Sequence, residues 1–327
     1  MTTNTPVLAR TLALDLVRVT ERAAVAAARL RGRGDEKAAD RAAVDAMRNA
    51  LNEMDIDGTV VIGEGERDEA PMLYIGEQVG TGRGPKVDIA LDPLEGTTLC
   101  AKAMPNSLAV IAMAESGTLL HAPDSYMEKI AIGGGFPSGL VDLDLSPEEN
   151  VGRLAEAKGV PTSAITACVL DRPRHADIIA GLRKAGCAVH LITDGDVAGI
   201  IHTTDPEETG IDIYMGVGGA PEGVLAAAAL RCIGGQMQGR LVIKNEEQRA
   251  RMLRMGISDP TRKFAMDELA SGDVVFAATG VTDGSMLSGV RFKRHAIETH
   301  SVVMRSSSRT VRWITGHHVA ERMQSGT

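Results

Sequence analysis

Leu8, Leu12, Leu16, Val19, Ala23, Ala27 and Leu30 recur at steps of three and four, the spacing of one helical face, and Gly32 and Gly34 end the run. A second helix is predicted from about Asp35, with Ala43, Met47, Leu51 and Met54 as its buried stripe. Asp40 lies one turn ahead of Ala43 and Val44 on that stripe, where a carboxylate needs an explanation; a first-turn acid favoured by the helix dipole is one. Residues 59–62 and 87–91 read as short strands, each running straight into an acidic turn, and residues 107–113 form another apolar run of strand length. Hairpin-like turns are expected at residues 115–117 and 133–135.

The texture changes at Ser146-Pro147-Glu148-Glu149, a capping box with proline in the first helical position. A domain boundary is expected there, with an α+β domain over residues 1–145 and an α/β domain over residues 146–327. Past it, strand 167–170, helix 176–184, strand 188–192, a helix near Val197, strand 211–215 and helix 223–232 alternate, the pattern of a mainly parallel sheet flanked by helices. Residues 246–255 read as a charged surface helix, and residues 274–313 as strands joined by Gly and Ser turns. The length of 327 residues suits two domains of the usual ~100 to 200 residues.

Charge and composition then remove whole classes of function. The 35 Lys and Arg against 43 Asp and Glu leave a net charge of −8, the wrong sign for a nucleic-acid partner. Eight aromatic residues are too few for base-stacking platforms. Cys100, Cys168, Cys187 and Cys232 are scattered without a Cys-x-x-Cys pair, which argues against a disulfide framework or thiolate zinc and favours a reducing compartment. No apolar stretch approaches the ~18 residues of a membrane span and no leader pattern opens the chain, so a cytoplasmic protein is expected.

Acids gather at the strand ends: Glu64, Glu66 and Asp68 after the first, Asp92 and Glu95 after the second. One acid in a turn is most simply solvated. Several at two strand mouths, with Asp40 on a buried helix face, repel one another unless cations neutralise them, and an oxygen-rich site of this kind suits Mg²⁺ or Mn²⁺. Farther on, Gly216-Val217-Gly218-Gly219-Ala220-Pro221-Glu222-Gly223 follows a strand and is read as a tight turn that lets backbone approach a ligand. It matches neither G-x-G-x-x-G nor a Walker motif.

Asp92-Pro93-Leu94-Glu95-Gly96-Thr97 resembles the D-P-[IL]-[DE]-G-[ST] motif of the lithium-sensitive, metal-dependent phosphomonoesterases. Further likeness lies in Gly32-Arg33-Gly34-Asp35, Ile62-Gly63-Glu64-Gly65-Glu66, Ala122-Pro123-Asp124, Tyr126-Met127-Glu128-Lys129, Asp194-Gly195-Asp196 and Gly218-Gly219-Ala220-Pro221-Glu222-Gly223. Together these resemble class II fructose-1,6-bisphosphatases of the bacterial GlpX type, over roughly residues 8 to 315. The resemblance implies a layered α-β-α-β-α sandwich and hydrolysis of the 1-phosphate of fructose 1,6-bisphosphate, as in gluconeogenesis. It implies metal ligation by Asp40, Glu64, Asp92, Glu95 and Glu222. Substrate contacts are implied for Glu95, Gly96, Thr97, Tyr126, Arg172, Pro173, Arg174, Asp194, Gly195, Asp196 and Gly219. The chain departs from the family pattern at Asp35-Glu36-Lys37, where some members carry Gly-Asp-Lys, and at Arg172, where Lys-Pro-Arg is common.

Thr97 is expected to orient the attacking water and Asp68 to accept its proton. A sugar bisphosphate then needs metals at the reacting phosphate and cations such as Arg172 and Arg174, with the Tyr126 hydroxyl, at the distal one. The alternatives are a dual enzyme also acting on sedoheptulose 1,7-bisphosphate, an inositol or nucleotide phosphomonoesterase, and a metal-binding regulator without catalysis. A homodimer or homotetramer is expected. His317-His318 is read as a surface pair, and Cys100 as a small buried residue.

Overall fold

The computed structural model describes Leu8, residues 11–65 and residues 72–319. Asp68, one of the two expected catalytic residues, lies outside the described residues. Helices α1 (Leu12–Ala28) and α2 (Glu36–Asn52) come first, then strands β1 (Asp57–Ile62), β2 (Gln78–Val79) and β3 (Lys86–Glu95), helix α3 (Thr97–Ala101) and β4 (Leu108–Glu115). There follow β5 (Tyr126–Gly133), α4 (Pro147–Lys158), β6 (Thr166–Leu170), α5 (Ala176–Lys184), β7 (Ala188–Ile192), α6 (Asp196–Ile201), α7 (Pro206–Thr209), β8 (Ile213–Gly219), α8 (Ala220–Ile233), β9 (Gly235–Val242), α9 (Glu246–Arg254), β10 (Phe264–Ala265) and α10 (Met266–Leu269). The chain closes with β11 (Val274–Gly280), β12 (Arg291–Phe292), β13 (Ala296–Arg305) and β14 (Thr310–Val319). The molecule is of the mixed α/β class, as the sequence predicts.

The first compact unit joins Met1–Leu119 to Ser271–Thr327. Its sheet runs β12-β13-β11-β4-β3-β1-β2, with β14 also paired to β13. The late strand β11 enters the middle of this sheet, antiparallel to β4 from Val274↔Ala114 to Gly280↔Leu108. Helices α1 and α2 lie against the sheet and each other, burying Leu12, Leu16, Val19, Ala23 and Ala27 of α1 with Ala43, Met47 and Leu51 of α2. The predicted stripes are therefore the buried ones, although α1 begins at Leu12 and the buried Leu8 lies in a bend before it. Asp35 caps α2, its side chain accepting from the Ala38 N–H.

The second unit spans Leu120–Ala270, around a sheet ordered β10-β9-β5-β8-β6-β7. Its core is built from Ile130, Ile132, Val151, Leu154, Ile165, Val169 and Ile213. The capping box at Ser146 is present, but it opens α4 inside this unit instead of marking a border. The compact units thus divide the chain differently from the expected 1–145 and 146–327 split, because β5, ahead of residue 146, is held on both sides by later strands. The sheet is also less parallel than the alternation suggests. β8, β6 and β7 are parallel, whereas β5 is antiparallel to both β8 and β9. Gly133–Gly135 consequently ends a central strand and makes no hairpin. The glycine run predicted as a turn is extended strand through Gly219, and α8 starts at the next residue.

Lys129, in the middle of β5, is completely buried. Its Nζ lies 2.7 Å from Asp196 Oδ2, and the Tyr214 hydroxyl donates to the same oxygen at 3.3 Å. A buried charge left single costs far more than the pair contributes. Lys129→Met is expected to destabilise the protein by ~3 to 5 kcal/mol, because Asp196 is left buried and uncompensated. Urea unfolding measures it, and an unchanged midpoint would mean that the Asp196 carboxylate is already solvated.

Candidate functional site

In the first unit, β1 and β3 are parallel neighbours, with Val60 opposite Ile89 and Ile62 opposite Ala90. The two acidic segments therefore leave the same end of the sheet. After β1 the chain turns through Gly63-Glu64-Gly65, pinned by the Glu64 N–H to the Leu73 carbonyl at 3.0 Å and the Ile75 N–H to the Gly65 carbonyl at 3.0 Å. A side chain at Gly63 would collide with the Leu73 carbonyl, so glycine is what allows this turn to close. Asp40 reaches the same neighbourhood from α2, which packs on β3.

The electrostatic result is crowding of like charge. Burial, with Asp92 and Asp40 nearby, pushes the Glu64 carboxyl up to about 8, and burial also raises Asp40. Neither Glu64 nor Asp40 has an ion-pair partner among the described residues. Glu95, the last residue of β3, which also carries Asp92, is buried. Among the described residues no three His, Cys, Asp or Glu side chains are posed as a closed metal cage. The donor set itself is all carboxylate oxygen, and the nearby Cys100 is a buried thiol, raised to about 11 by burial and bonded to the Ala27 carbonyl. Hard divalent cations fit such a set.

Asp92 and Glu95, expected after the strand, lie in its last residues: β3 continues through Glu95 with a register shift against β4 between the two acids. The Leu94 N–H donates to Asp92 Oδ1 at 2.9 Å, Gly96 adopts the left-handed conformation (φ 76°), and α3 begins at Thr97. The Thr97 hydroxyl donates to the Leu94 carbonyl at 3.1 Å, which leaves its oxygen lone pairs as acceptors. The backbone N–H groups of Gly32 and Gly34 hold the C-terminal end of α3 through the Cys100 and Ala101 carbonyls, and both glycines have positive φ. That is the physical content of the Gly-Arg-Gly-Asp segment. Lys37 is exposed near the start of α2.

In the second unit, cations gather at one end of the central strands. Pro173–His175 forms a single 3-10 turn between β6 and α5. Buried His175 locks it: Nδ1 faces the Leu170 carbonyl at 2.7 Å and Nε2 faces the Val217 N–H at 2.8 Å. A carbonyl only accepts and an N–H only donates, so the ring is neutral with its proton on Nδ1. Burial lowers its pKa in agreement. Arg174 then donates from Nε and Nη2 to the Val217 carbonyl at 3.0 and 2.7 Å, with its guanidinium 5.0 Å from the centre of the Tyr126 ring. Tyr126 is paired in register with Gly219, and the Glu222 carboxylate lies over Gly219, where a Cβ would stand. Among the described residues, Arg172 donates to its neighbour Asp171's carbonyl and to no other group.

The structure thus gathers Asp40, Glu64, Asp92, Glu95, Gly96 and Thr97 within the first unit. It gathers Tyr126, Arg174 and Gly219 within the second, with Glu222 in the first turn of α8. Asp194 and Gly195 form the turn into α6, and Asp196 is committed to Lys129. Sequence reading missed His175, which orients the arginine turn, and Lys129. Of the expected surface pair, His317 is exposed on β14 and meets Glu298 at 3.5 Å, whereas His318 is partly buried and meets the buried Glu21 at 3.4 Å.

Residues 10–318 match the family described as bacterial fructose-1,6-bisphosphatase, glpX-encoded. The D-fructose 1,6-bisphosphatase class 2/sedoheptulose 1,7-bisphosphatase of Synechococcus sp. (strain JA-3-3Ab) is 46% identical over 338 aligned residues, covering 96% of this chain and 97% of that protein. Fructose-1,6-bisphosphatase 1 class 2 of Escherichia coli (strain K12) is 46% identical over 326 residues, covering 96% of each. At that level of likeness along almost the whole length, the chain belongs to the glpX-encoded bacterial fructose-1,6-bisphosphatase family, a family of divalent-metal-dependent phosphatases.

Proposed function

We propose that this chain hydrolyses the 1-phosphate of fructose 1,6-bisphosphate, releasing fructose 6-phosphate and inorganic phosphate, with Mn²⁺ or Mg²⁺ held by Asp40, Glu64, Asp92 and Glu95. The resemblance adds Glu222 to that set. The observation that carries the reading is the crowding of Glu64, Asp92 and Asp40 at the shared end of β1 and β3, which raises Glu64 to about 8. Such ions, when bound, neutralise phosphate oxygens, acidify a water and stabilise the leaving alkoxide.

The chain's own groups supply the rest. The proton of Thr97 is spent on Leu94, so its oxygen accepts a hydrogen bond from the attacking water and orients it. Asp68 is the proposed proton acceptor. Arg174, fixed by Val217, keeps three of its five N–H groups for the distal phosphate, and Arg172 and the Tyr126 hydroxyl assist it. Pro173 sets the turn that presents the two arginines. Asp194, Gly195, Gly96 and Gly219 are proposed substrate contacts through short side chains and backbone, with Asp196 supporting them from its pair with Lys129.

A second substrate is favoured by the name of the Synechococcus relative, which includes sedoheptulose 1,7-bisphosphatase. Both sugars carry two phosphates, as the substrate that the resemblance implies does, and an inositol or nucleotide monoester does not. Phosphate release from these substrates with Mn²⁺, Mg²⁺ or EDTA tests the reading, and turnover that survives exhaustive chelation would overturn it. Four free, buried cysteines support the cytoplasm as its location. Trp313 and Val319, both more than half exposed on β14, support assembly into a homodimer or homotetramer, which light scattering measures.

Two mutations probe the chemistry. A carboxyl raised from 4.5 to about 8 on folding is neutral in the folded protein and ionised in the unfolded chain between those values. Its stability contribution is complete below 4.5 and is lost as the pH rises through 8. Glu64→Gln is therefore expected to raise the Tm of metal-free protein by an amount that grows from pH 4.5 to 8 and then levels off, while metal affinity falls. A pH-independent difference in Tm would remove Glu64 from the buried cluster. Thr97→Ala is expected to lower kcat by ~10² to 10⁴ at saturating metal and substrate, and Thr97→Ser to recover part of it. Parallel losses of Tm and kcat in both variants would reduce Thr97 to a turn residue.

A further inference from the structure

Two cations stand near Tyr126, and one of them has no part in the reading so far. Lys244 lies two residues past β9, and its Nζ is 4.1 Å from the centre of the Tyr126 ring, whose other cation is the Arg174 guanidinium at 5.0 Å. The register explains the meeting. Tyr126 opens β5 and is flanked by Gly219 of β8 and Val242 of β9, so the chain segments carrying Arg174 and Lys244 converge on one ring from the two neighbouring strands. The Lys244 backbone is fixed as well: its N–H donates to Gln248 Oε1 at 2.9 Å, beside the Asn245 cap of α9.

These two cations are no farther apart than the two ring separations together allow, about 9 Å, roughly the Debye length of physiological salt. Neither is ion-paired to an acid among the described residues, and neither is Arg172. Several other cations of this unit are ion-paired. Arg240 meets Glu128 and Asp144, and Lys263 meets Asp142 and Asp144. Lys129 meets Asp196. The contrast matters because unpaired like charges brought together are relieved by an anion. The ring face gives each cation a weak resting place without using any of its N–H donors.

We propose that Lys244 is a substrate-binding residue that, with Arg174, takes the phosphate of the sugar farthest from the reacting one, Tyr126 serving as the platform that holds both cations ready. This deepens the proposed function and rests on its bisphosphate substrate. The two cations have different duties. Arg174 is anchored through Val217 and fixes the direction of approach with a planar fork. Lys244 is exposed, with three rotatable N–H donors unspent among the described residues, and follows the phosphate as a point charge. Two cations against one phosphate of about −1.5 to −2 charge also favour a bisphosphate over a sugar phosphorylated only at the reacting carbon.

The test compares Lys244→Ala and Lys244→Arg with the parent by two measurements. Calorimetric binding of fructose 6-phosphate to metal-free protein reads the distal phosphate without catalysis. Steady-state kinetics compare fructose 1,6-bisphosphate with fructose 1-phosphate. Lys244→Ala is expected to weaken fructose 6-phosphate binding and to lower kcat/KM for the bisphosphate, each by about tenfold. The fructose 1-phosphate rate should stay unchanged, Lys244→Arg should recover most of the loss, and the deficit should shrink at high salt. Unaltered fructose 6-phosphate affinity in Lys244→Ala would overturn the assignment, as would no measurable binding by the parent. Equal losses on both sugars, unrelieved by arginine, would do so by showing that Lys244 only braces the ring. Failure of the parent to release phosphate from the bisphosphate would instead count against the proposed function, leaving the binding measurement to judge Lys244.

Discussion

Carboxylates that repel one another are the constraint from which the first unit is best understood. Glu64, Asp92 and Asp40 are placed by three different elements, and none of those elements gains stability by bringing them close. Folding accepts the cost because the surrounding hydrophobic contacts are extensive: α1, α2 and both faces of the sheet's middle strands are buried. The strand pairing then leaves no freedom. Since β1 and β3 are parallel neighbours, whatever follows Ile62 and Leu91 must emerge side by side. A cluster enforced by packing and relieved by a cation is poised for binding, because the relief of repulsion adds to each ion's attraction.

The second unit presents the opposite sign by a similar device. Its buried anchors are neutral or paired, His175 between two backbone groups and Lys129 against Asp196, and they fix the backbone from which Arg172, Arg174 and Tyr126 project. Neutrality of His175 is part of the design. A protonated ring could not accept the Val217 N–H, and the turn holding Arg172 and Arg174 would lose its tie to β8. Rigid, charge-balanced support under unbalanced exposed charge orients the binding groups before any ligand arrives, which reduces the ordering that binding must otherwise supply.

Local signals were legible in the sequence, and long-range ones were not. The stripes of α1 and α2, the capping box at Ser146 and the strand-helix alternation of residues 166–201 depend on neighbours a few positions apart, and they stand as read. The division of the chain depends on β11 entering beside β4, a pairing of residues more than 150 positions apart that no periodicity announces. Strand β5 escaped because Lys129 interrupts its apolar run, although that lysine is buried by its partner. Strand β9, Gly-Gln-Met-Gln-Gly-Arg-Leu-Val, reads as polar because only alternate residues face the core. The acidic ligand candidates were visible since acids after strands are conspicuous. Lys244, in the solvated-looking stretch Lys244-Asn245-Glu246-Glu247, gives no such sign.

The glycines of β8 tie these levels together. Read in sequence, Gly216-Val217-Gly218-Gly219 suggested a turn, yet the segment is extended, and the missing side chains serve their neighbours. A Cβ at Gly218 would collide with the Asp196 carboxylate and one at Gly219 with the Glu222 carboxylate, while one at Gly216 would only touch the His175 ring, at 3.4 Å. Three side chains from three other places in the chain thus lie directly over one strand end. Glycine in a strand weakens it by its own backbone entropy. Here that cost is offset by flanking β5 and β6 on both sides and by the buried helix α8 that follows. The strand gives up side chains of its own so that an ion pair and a neutral histidine can lie against one face of its end and an acid against the other.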